Sequence, residues 1–341
     1  MKLFKRSNLD ALGLALASRI MTFAAALMLA FALADCLGDP LSQFMSQEAR
    51  ADDWARARSE LGQTQPIWTR FADFSLRALS GDFGVSYRTH QSVGLMILGA
   101  FPATLDLAIA SGLTALLIAI PAGVHVSTCP HTLASRGLLG FSVAAGSVPV
   151  FVLAILVMTA GSAGLGLLPA FGRGTTMALF EFRGVRWDTG LLTLSGWQSL
   201  VMPVLAIVLT QCGLLLRLVQ CGMQPVLRQQ YILAAHARGL SRARIHYSHA
   251  LRNASHALVA SGSLQFGNMI VFALVTEAVF QRPGLGLLFL QSIESADVPV
   301  ICAYLLFACL CFAVIDALAG VVLRMADPRT PARPPWARLP Q

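Results

Sequence analysis

Three acids, Asp106, Glu277 and Asp316, stand inside stretches that are otherwise almost wholly apolar. Ionisable groups so placed either contact a solute on its way through a membrane or hold helices together. Asp106 and Glu277 fall near the ends of their stretches, where an interfacial carboxylate competes with a substrate contact, and Arg217 falls near the end of another. Asp316 lies deepest, and it faces either a translocation path or a polar partner on a neighbouring helix. Four histidines, His236, His246, His249 and His256, cluster farther along, and His246 and His249 have the i, i+3 spacing of metal ligands on one helix face. No third ligand or carboxylate accompanies them, so no metal site is expected. Gly161-Ser162-Ala163-Gly164 supplies the serine of an intramembrane hydrolase, but every histidine lies outside the apolar stretches or at their ends. No Gly-x-x-x-x-Gly-Lys string occurs, so a phosphate cradle of that kind is excluded. The seven cysteines form no Cys-x-x-Cys pair and fit the role of small apolar residues.

These groups must be positioned by membrane helices. The chain has 341 residues, 56% of them hydrophobic and 12% charged, about half the charge of a soluble domain. A hydrocarbon core of about 30 Å needs about 20 helical residues. Six stretches qualify: 11–34, 101–126, 138–161, 200–219, 257–280 and 299–323. The basic residues orient them. Lys2, Lys5 and Arg6 precede the first span. Arg228, Arg238, Arg242, Arg244 and Arg252 occupy the loop between spans four and five, and Arg324, Arg329, Arg333 and Arg338 follow span six. Both termini are therefore expected in the cytoplasm. Residues 35–98 mix six arginines with eight acids, as a folded exterior segment does, and carry Trp54, Trp68, Phe71, Phe74 and Phe83 for packing. A basic start followed by Ala32-Leu33-Ala34 also fits a cleaved signal, although Arg19 interrupts the apolar stretch, which favours a retained anchor. Arg19 would cost about 3 kcal/mol at a membrane centre, so it either snorkels to an interface or faces protein.

Residues 230–254, QYILAAHARGLSRARIHYSHALRNA, form an arginine-rich segment without an acid. Ala234, Ala235 and Ala237 allow one short helix to pack closely, and Gly239 supplies a bend before a second short helix. A polar helix–turn–helix on the cytoplasmic face is expected, and its surface suits contact with another protein.

The string YILAAHARGLS from Tyr231 to Ser241, followed by HALRNA from His249 to Ala254, resembles the EAA loop of inner-membrane permease subunits of ABC importers. The wider pattern is similar to the dipeptide, oligopeptide and nickel branch, first permease type. Asp39-Pro40, GDFGVS at Gly81–Ser86, FPATLD at Phe101–Asp106, SVPVF at Ser147–Phe151, LLPA at Leu167–Ala170, TEAVF at Thr276–Phe280, PGLG at Pro283–Gly286 and Asp327-Pro-Arg329 follow that branch in order and spacing. Leu233, His236 and Ala257 depart from it. The resemblance implies an all-α integral membrane protein with six transmembrane helices of the type I ABC importer (MetI-like) permease fold. It further implies an anchor with an exterior segment at 1–91, a permease core at 92–326 and a cytoplasmic tail at 327–341, in a bacterial inner membrane. Ala234, Ala235, Arg238, Gly239, Arg242 and Arg244 would couple the chain to an ATPase. No cofactor is expected in this chain, because ATP and magnesium would sit in the ATPase. The implied partners are a second homologous permease, two ABC ATPase subunits, an exterior solute-binding protein and membrane lipid, with no nucleic acid. Peptides or similar small solutes are the implied cargo. An ion-coupled secondary transporter is the alternative, but the chain shows no convincing internal repeat.

Overall fold

The computed structural model describes residues 2–37, 65–164 and 168–326. Asp39, Pro40, Trp54, Leu167 and the basic tail from Asp327 onward lie outside the described residues, as do the side chains of His256, Ala257 and Arg324. The helices are α1 (Lys2–Leu37), α2 (Ile67–Ser80), α3 (Val93–Thr128), α4 (Leu133–Ser147) and α5 (Val150–Met158), the last continuing into a π-turn at Thr159–Gly164. A two-stranded hairpin, β1 (Met177–Phe182) and β2 (Val185–Thr189), precedes α6 (Leu194–Leu227) and α7 (Gln230–Ala237). A π-helical segment at Arg244–Leu251 leads into α8 (Arg252–Val279), and α9 (Leu285–Glu294) and α10 (Val298–Ala326) complete the described residues.

Among the described residues four helices are long and apolar enough to cross a membrane, at Ala17–Cys36, Val93–Thr128, Leu194–Leu227 and Val298–Val322. The expected third span is not one straight helix. It breaks by 103° between Leu133–Ser147 and Val150–Ser162, and counts as a fifth crossing only if the two arms are taken together. Pro149 causes the break, since it has no N–H to donate and forces Val148 into an extended conformation (φ −92°, ψ 129°). In α8 the apolar described portion, Gln265–Val279, is shorter than a membrane crossing. The hairpin is a departure from an all-helical chain. Its turn residues Arg183 (φ 50°) and Gly184 (φ 77°) both have positive φ, the geometry that matches the twist of a two-residue hairpin loop.

Helix α6 is the most enclosed of the crossing helices and organises the bundle. Its buried face, including Leu200, Val204, Ile207, Leu215 and Leu216, packs on Leu107, Ala115 and Ala119 of α3 and Met269 and Ala273 of α8. The α3–α6 approach is close because Gly123 has no side chain: a Cβ there would lie 2.5 Å from the Cβ of Val219. Both arms of the broken helix also lie on α6. Ala154 meets Met202 and Ala206, and Ser142 accepts a 3.1 Å hydrogen bond from Arg217 Nε. At the edge, Leu27 and Ala30 of α1 pack on Val298, Cys302 and Leu306 of α10.

These contacts give the molecule two ends. The last turns of α3 and α6 and the first turn of α8 gather with α7 at one, called here the loop end. The first turns of α3 and α10 gather with α9 at the other, the hairpin end, where the hairpin joins α3 through Phe101 against Trp187.

Candidate functional site

At the loop end, α7 is too short to be stable alone and is held by its inward face. Ile232 and Ala235, at i and i+3, are buried with Ile245, Ala250 and Ala254 against Val219, Met223 and Val226 of α6 and Val124 of α3. Leu233, Ala234, His236 and Ala237 point outward, so the three alanines are divided between the two faces. Gly239 closes the helix with φ +72°, its N–H donating to His236 O at 3.0 Å while Leu240 N donates to Ala235 O at 3.3 Å. A Cβ there would meet nothing within 4 Å, so the demand for glycine is conformational rather than steric. Asn253 Nδ2 donates to the Tyr231 hydroxyl at 2.7 Å and ties the start of α8 to α7. Arg238, Arg242 and Arg244 are all exposed, and no ion pair joins them to another described residue. His246 is half-buried, and burial, then the nearby charges of His236 and Arg242, hold its ring below the ordinary histidine range. Among the described residues no group of three metal-ligating side chains is assembled, here or elsewhere.

The hairpin end carries charges of a different kind. Asp106 is only 5% exposed, so it is not a solvated carboxylate. Its Oδ1 accepts from Thr189 Oγ1 at 2.8 Å, and its Oδ2 accepts from Gly190 N at 2.9 Å and Arg173 Nη2 at 3.1 Å. A second guanidinium, Arg282, lies 3.8 Å from Oδ2. Glu277 is fully buried, and its Oε2 accepts from Gly286 N at 2.7 Å. Gly284 must lack a side chain because its Cβ would fall 2.3 Å from the Glu277 carboxyl. Thr104, two residues before Asp106, accepts from Leu285 N at 2.8 Å and pins α9 to α3. Nearby, Asp297 receives the Ser86 hydroxyl and Tyr87 N, which seats the GDFGVS turn on α10. In that turn Asp82 caps Gly84 N at 3.0 Å, and this bond lowers its carboxyl below the usual aspartate value.

Asp316 joins neither group. It accepts two hydrogen bonds from Arg19, at 3.1 Å from Nε and 2.7 Å from Nη2, linking α10 to α1. The pair is open, with the Asp316 side chain 63% exposed. Sequence reading singled out Asp106, Glu277 and Asp316 but missed Arg173, Arg282, Thr104, Thr189 and Asp297. All but Thr104, which sits within α3, lie in or beside turns, where polar residues carry no periodic signal.

Between the two ends, a cavity of about 960 Å³ runs along α3, α6, α8 and α10. Its walls are almost wholly apolar, with Thr104, Ser255 and Tyr304 the polar side chains that reach it. A cavity of this size accommodates a small solute, and it offers that solute no charged partner.

Comparison with known proteins gives this geometry a context. A family model described as "Binding-protein-dependent transport system inner membrane component" matches residues 115–331. The di/tripeptide transport system permease protein DppB of Pseudomonas aeruginosa (strain UCBPP-PA14) is 30% identical over 320 residues, which cover 91% of this chain and 95% of that protein. The glutathione transport system permease protein GsiC of Escherichia coli (strain K12) is 30% identical over 291 residues, 85% of this chain and 88% of that one. Among solved structures, a chain of the MetNI methionine ABC transporter in an inward facing conformation superposes with a TM-score of 0.53. That match covers 68% of this chain and 96% of the other at 17% identity, a likeness of fold. The apolar crossing helices, the helix–turn–helix at one end and the match over most of the sequence lead to one conclusion: this chain belongs to the family of inner membrane components of binding-protein-dependent transport systems.

Proposed function

We propose that the chain is the translocating permease subunit of an ATP-driven importer, carrying peptides or similar small solutes delivered by an exterior binding protein. The peptide and glutathione relatives set that substrate class. In this reading the loop end is cytoplasmic, and α1, α3, the α4–α5 pair, α6, α8 and α10 make six crossings with both termini inside. The anchor and exterior segment occupy residues 1–91, the permease core 92–326 and the tail 327–341. A homologous second permease completes the path, of which the apolar cavity is this chain's share. Two ATPase subunits below supply the motion, since the sequence has no phosphate-binding loop of its own. Residues 35–98, with α2 and the hairpin, receive the binding protein above.

One observation carries the proposal. The 230–254 segment is a small folded body with its own apolar core, built on the ends of α3, α6 and α8, and it turns an exposed surface of Leu233, Ala234, Arg238, Arg242 and Arg244 away from the bundle. A lever of this form transmits rigid-body motion from an ATPase to three crossing helices at once. Its arginines are free to meet acids on that partner, and Gly239 sets the angle between its two limbs. A photo-crosslinking side chain at Ala237, which is exposed, is expected to form an adduct with the ATPase subunit in native membranes. Adducts formed only with the exterior binding protein would invert the topology and sink the proposal.

A further inference from the structure

Arg282 is the most deeply buried large side chain of the hairpin end, with 0% exposure, and none of its Nε, Nη1 and Nη2 atoms has a hydrogen-bond partner. An unpartnered buried guanidinium is costly, and the reason it is unpartnered is geometric. The oxygen it faces at 3.8 Å, Asp106 Oδ2, already accepts from Gly190 and Arg173, and Oδ1 accepts from Thr189. A second acid lies within electrostatic reach on the other side. Glu277 is equally buried, and its Oε1 has no donor. Donors without an acceptor thus stand beside an acceptor without a donor, in a cluster of two cations and two acids that balances in charge. The turn that carries Arg282 is held in tension. Gln281 occupies the left-handed region at φ +49°, and the next residues fold back so tightly that Gly284 N bonds Arg282 O at 2.7 Å.

The two acids lie on different elements, which are also joined by Leu285 N to Thr104 at 2.8 Å and Gly172 N to Phe280 O at 3.1 Å. Asp106 is shared by α3 and the hairpin, whereas Glu277 sits on α8 beside the α8–α9 turn from which Arg282 itself projects. We propose that Arg282 is a positioning residue for transport, exchanging its carboxylate partner between Asp106 and Glu277 as the hairpin end closes and opens. Paired toward Asp106, it ties the α8–α9 turn to the hairpin. Turned to Glu277, it satisfies its own segment and drops that tie, while Asp106 keeps Arg173, Thr189 and Gly190. The exchange requires no net charge to leave the protein interior. It takes place directly behind Thr104 and Leu285, which line the apolar cavity, so release of the tie opens the cavity wall on the side where solute would enter.

The inference rests on the permease reading and deepens it. Spin labels on genetically encoded, cysteine-independent side chains at exposed Arg186 of β2 and Glu294 of α9 report the separation of the hairpin and α9 in the assembled, reconstituted complex. With wild-type residues at 277 and 282, a non-hydrolysable ATP analogue is expected to shift the distance distribution. Glu277→Gln removes the second partner and is expected to abolish the shift, and the double variant Arg282→Met with Glu277→Gln should abolish it as well. Arg282→Lys, which keeps a charge, should retain it. A merely structural clasp behaves oppositely, since neutral replacements of similar volume leave packing intact and the shift with it. A persistent shift in Glu277→Gln or in the double variant overturns the exchange. So does a wild-type complex whose ATPase turns over while the separation stays fixed, and in that case the transport reading stands. A chain that assembles with no ATPase overturns both.

Discussion

The two ends of this permease use the same residue types for opposite purposes. At the hairpin end, Arg282, Asp106 and Glu277 are buried with the part-buried Arg173 beside them, and apolar residues lie on the outside of the strands, where Leu179 and Phe182 are exposed. At the loop end, Arg238, Arg242 and Arg244 are exposed and form no ion pair with another described residue, and the apolar residues Ile232, Ile245 and Met223 are buried beneath them. An inward charge spends its interactions within the molecule and fixes a geometry. An outward charge keeps its interactions in reserve for a partner. The difference predicts where a substitution damages the fold and where it damages only communication.

The largest effect is expected at the hairpin end. Asp106→Ala removes the acceptor of three hydrogen bonds and the carboxylate that faces the Arg282 guanidinium, leaving Arg173 and Arg282 without their shared acid in the interior. A loss of about 3–5 kcal/mol in stability is expected, as for a buried ion pair deprived of one partner. It is measured as a fall in membrane-inserted protein and in the midpoint of thermal unfolding in detergent. An unchanged midpoint would erase the distinction between the two ends.

At the loop end, Gly239→Val is expected to leave the protein in the membrane at wild-type abundance. A β-branched residue at φ +72° costs roughly 1–3 kcal/mol of local strain, with no clash because no atom lies within 4 Å. That strain falls on the lever rather than on the spans, so uptake should fall while ATP hydrolysis in the reconstituted complex continues. Wild-type uptake by a well-expressed variant would remove this glycine from the coupling mechanism.

The smallest effect concerns protons. Burial and neighbouring cations depress His246 in the folded loop, so the unfolded segment binds its proton more readily. The loop is therefore fully stable above the ordinary histidine value of about 6.5 and loosens as pH falls through it toward the depressed one. Once the intrinsic slowing of amide exchange with falling pH is divided out, protection of amides 232–250 should decrease between pH 7.5 and 5.5 in the wild type and much less in His246→Gln. An equal loss of protection in both would show that His246 is not the sensitive group.

Much of this contrast was legible in the residues. Hydropathy located the long helices, and Gly239 within an acid-free arginine run identified the bend and the outward charges of the loop. Intramembrane acids drew attention to Asp106, Glu277 and Asp316, but hydropathy has no way to say which cation each one meets. Arg173 and Arg282 come from turns 67 and 176 residues beyond Asp106, and only the tertiary fold brings them to it. Asp316 shows the converse: a protein partner is one of two readings open for it and for Arg19 in the sequence, and the two prove to be each other's. The hairpin went unread although Arg183-Gly184 between Phe180-Glu181-Phe182 and Val185-Arg186-Trp187 is a turn between alternating segments. The break at Pro149 was hidden because an unbroken apolar run looks like a straight helix.

That break has a consequence for biosynthesis. A crossing helix that emerges from the ribosome is retained by the bilayer on its own length, about 20 apolar residues. The arms on either side of Pro149 have 15 residues and 9, the second extended by a six-residue π-turn, and neither reaches that length. Both find their binding surface on α6, through Ser142 with Arg217 and Ala154 with Met202, and α6 is synthesised only after the whole hairpin has been made. Each arm taken alone thus depends on α6 for the surface that holds it, and α4, α5 and α6 pack as one unit rather than as independent helices.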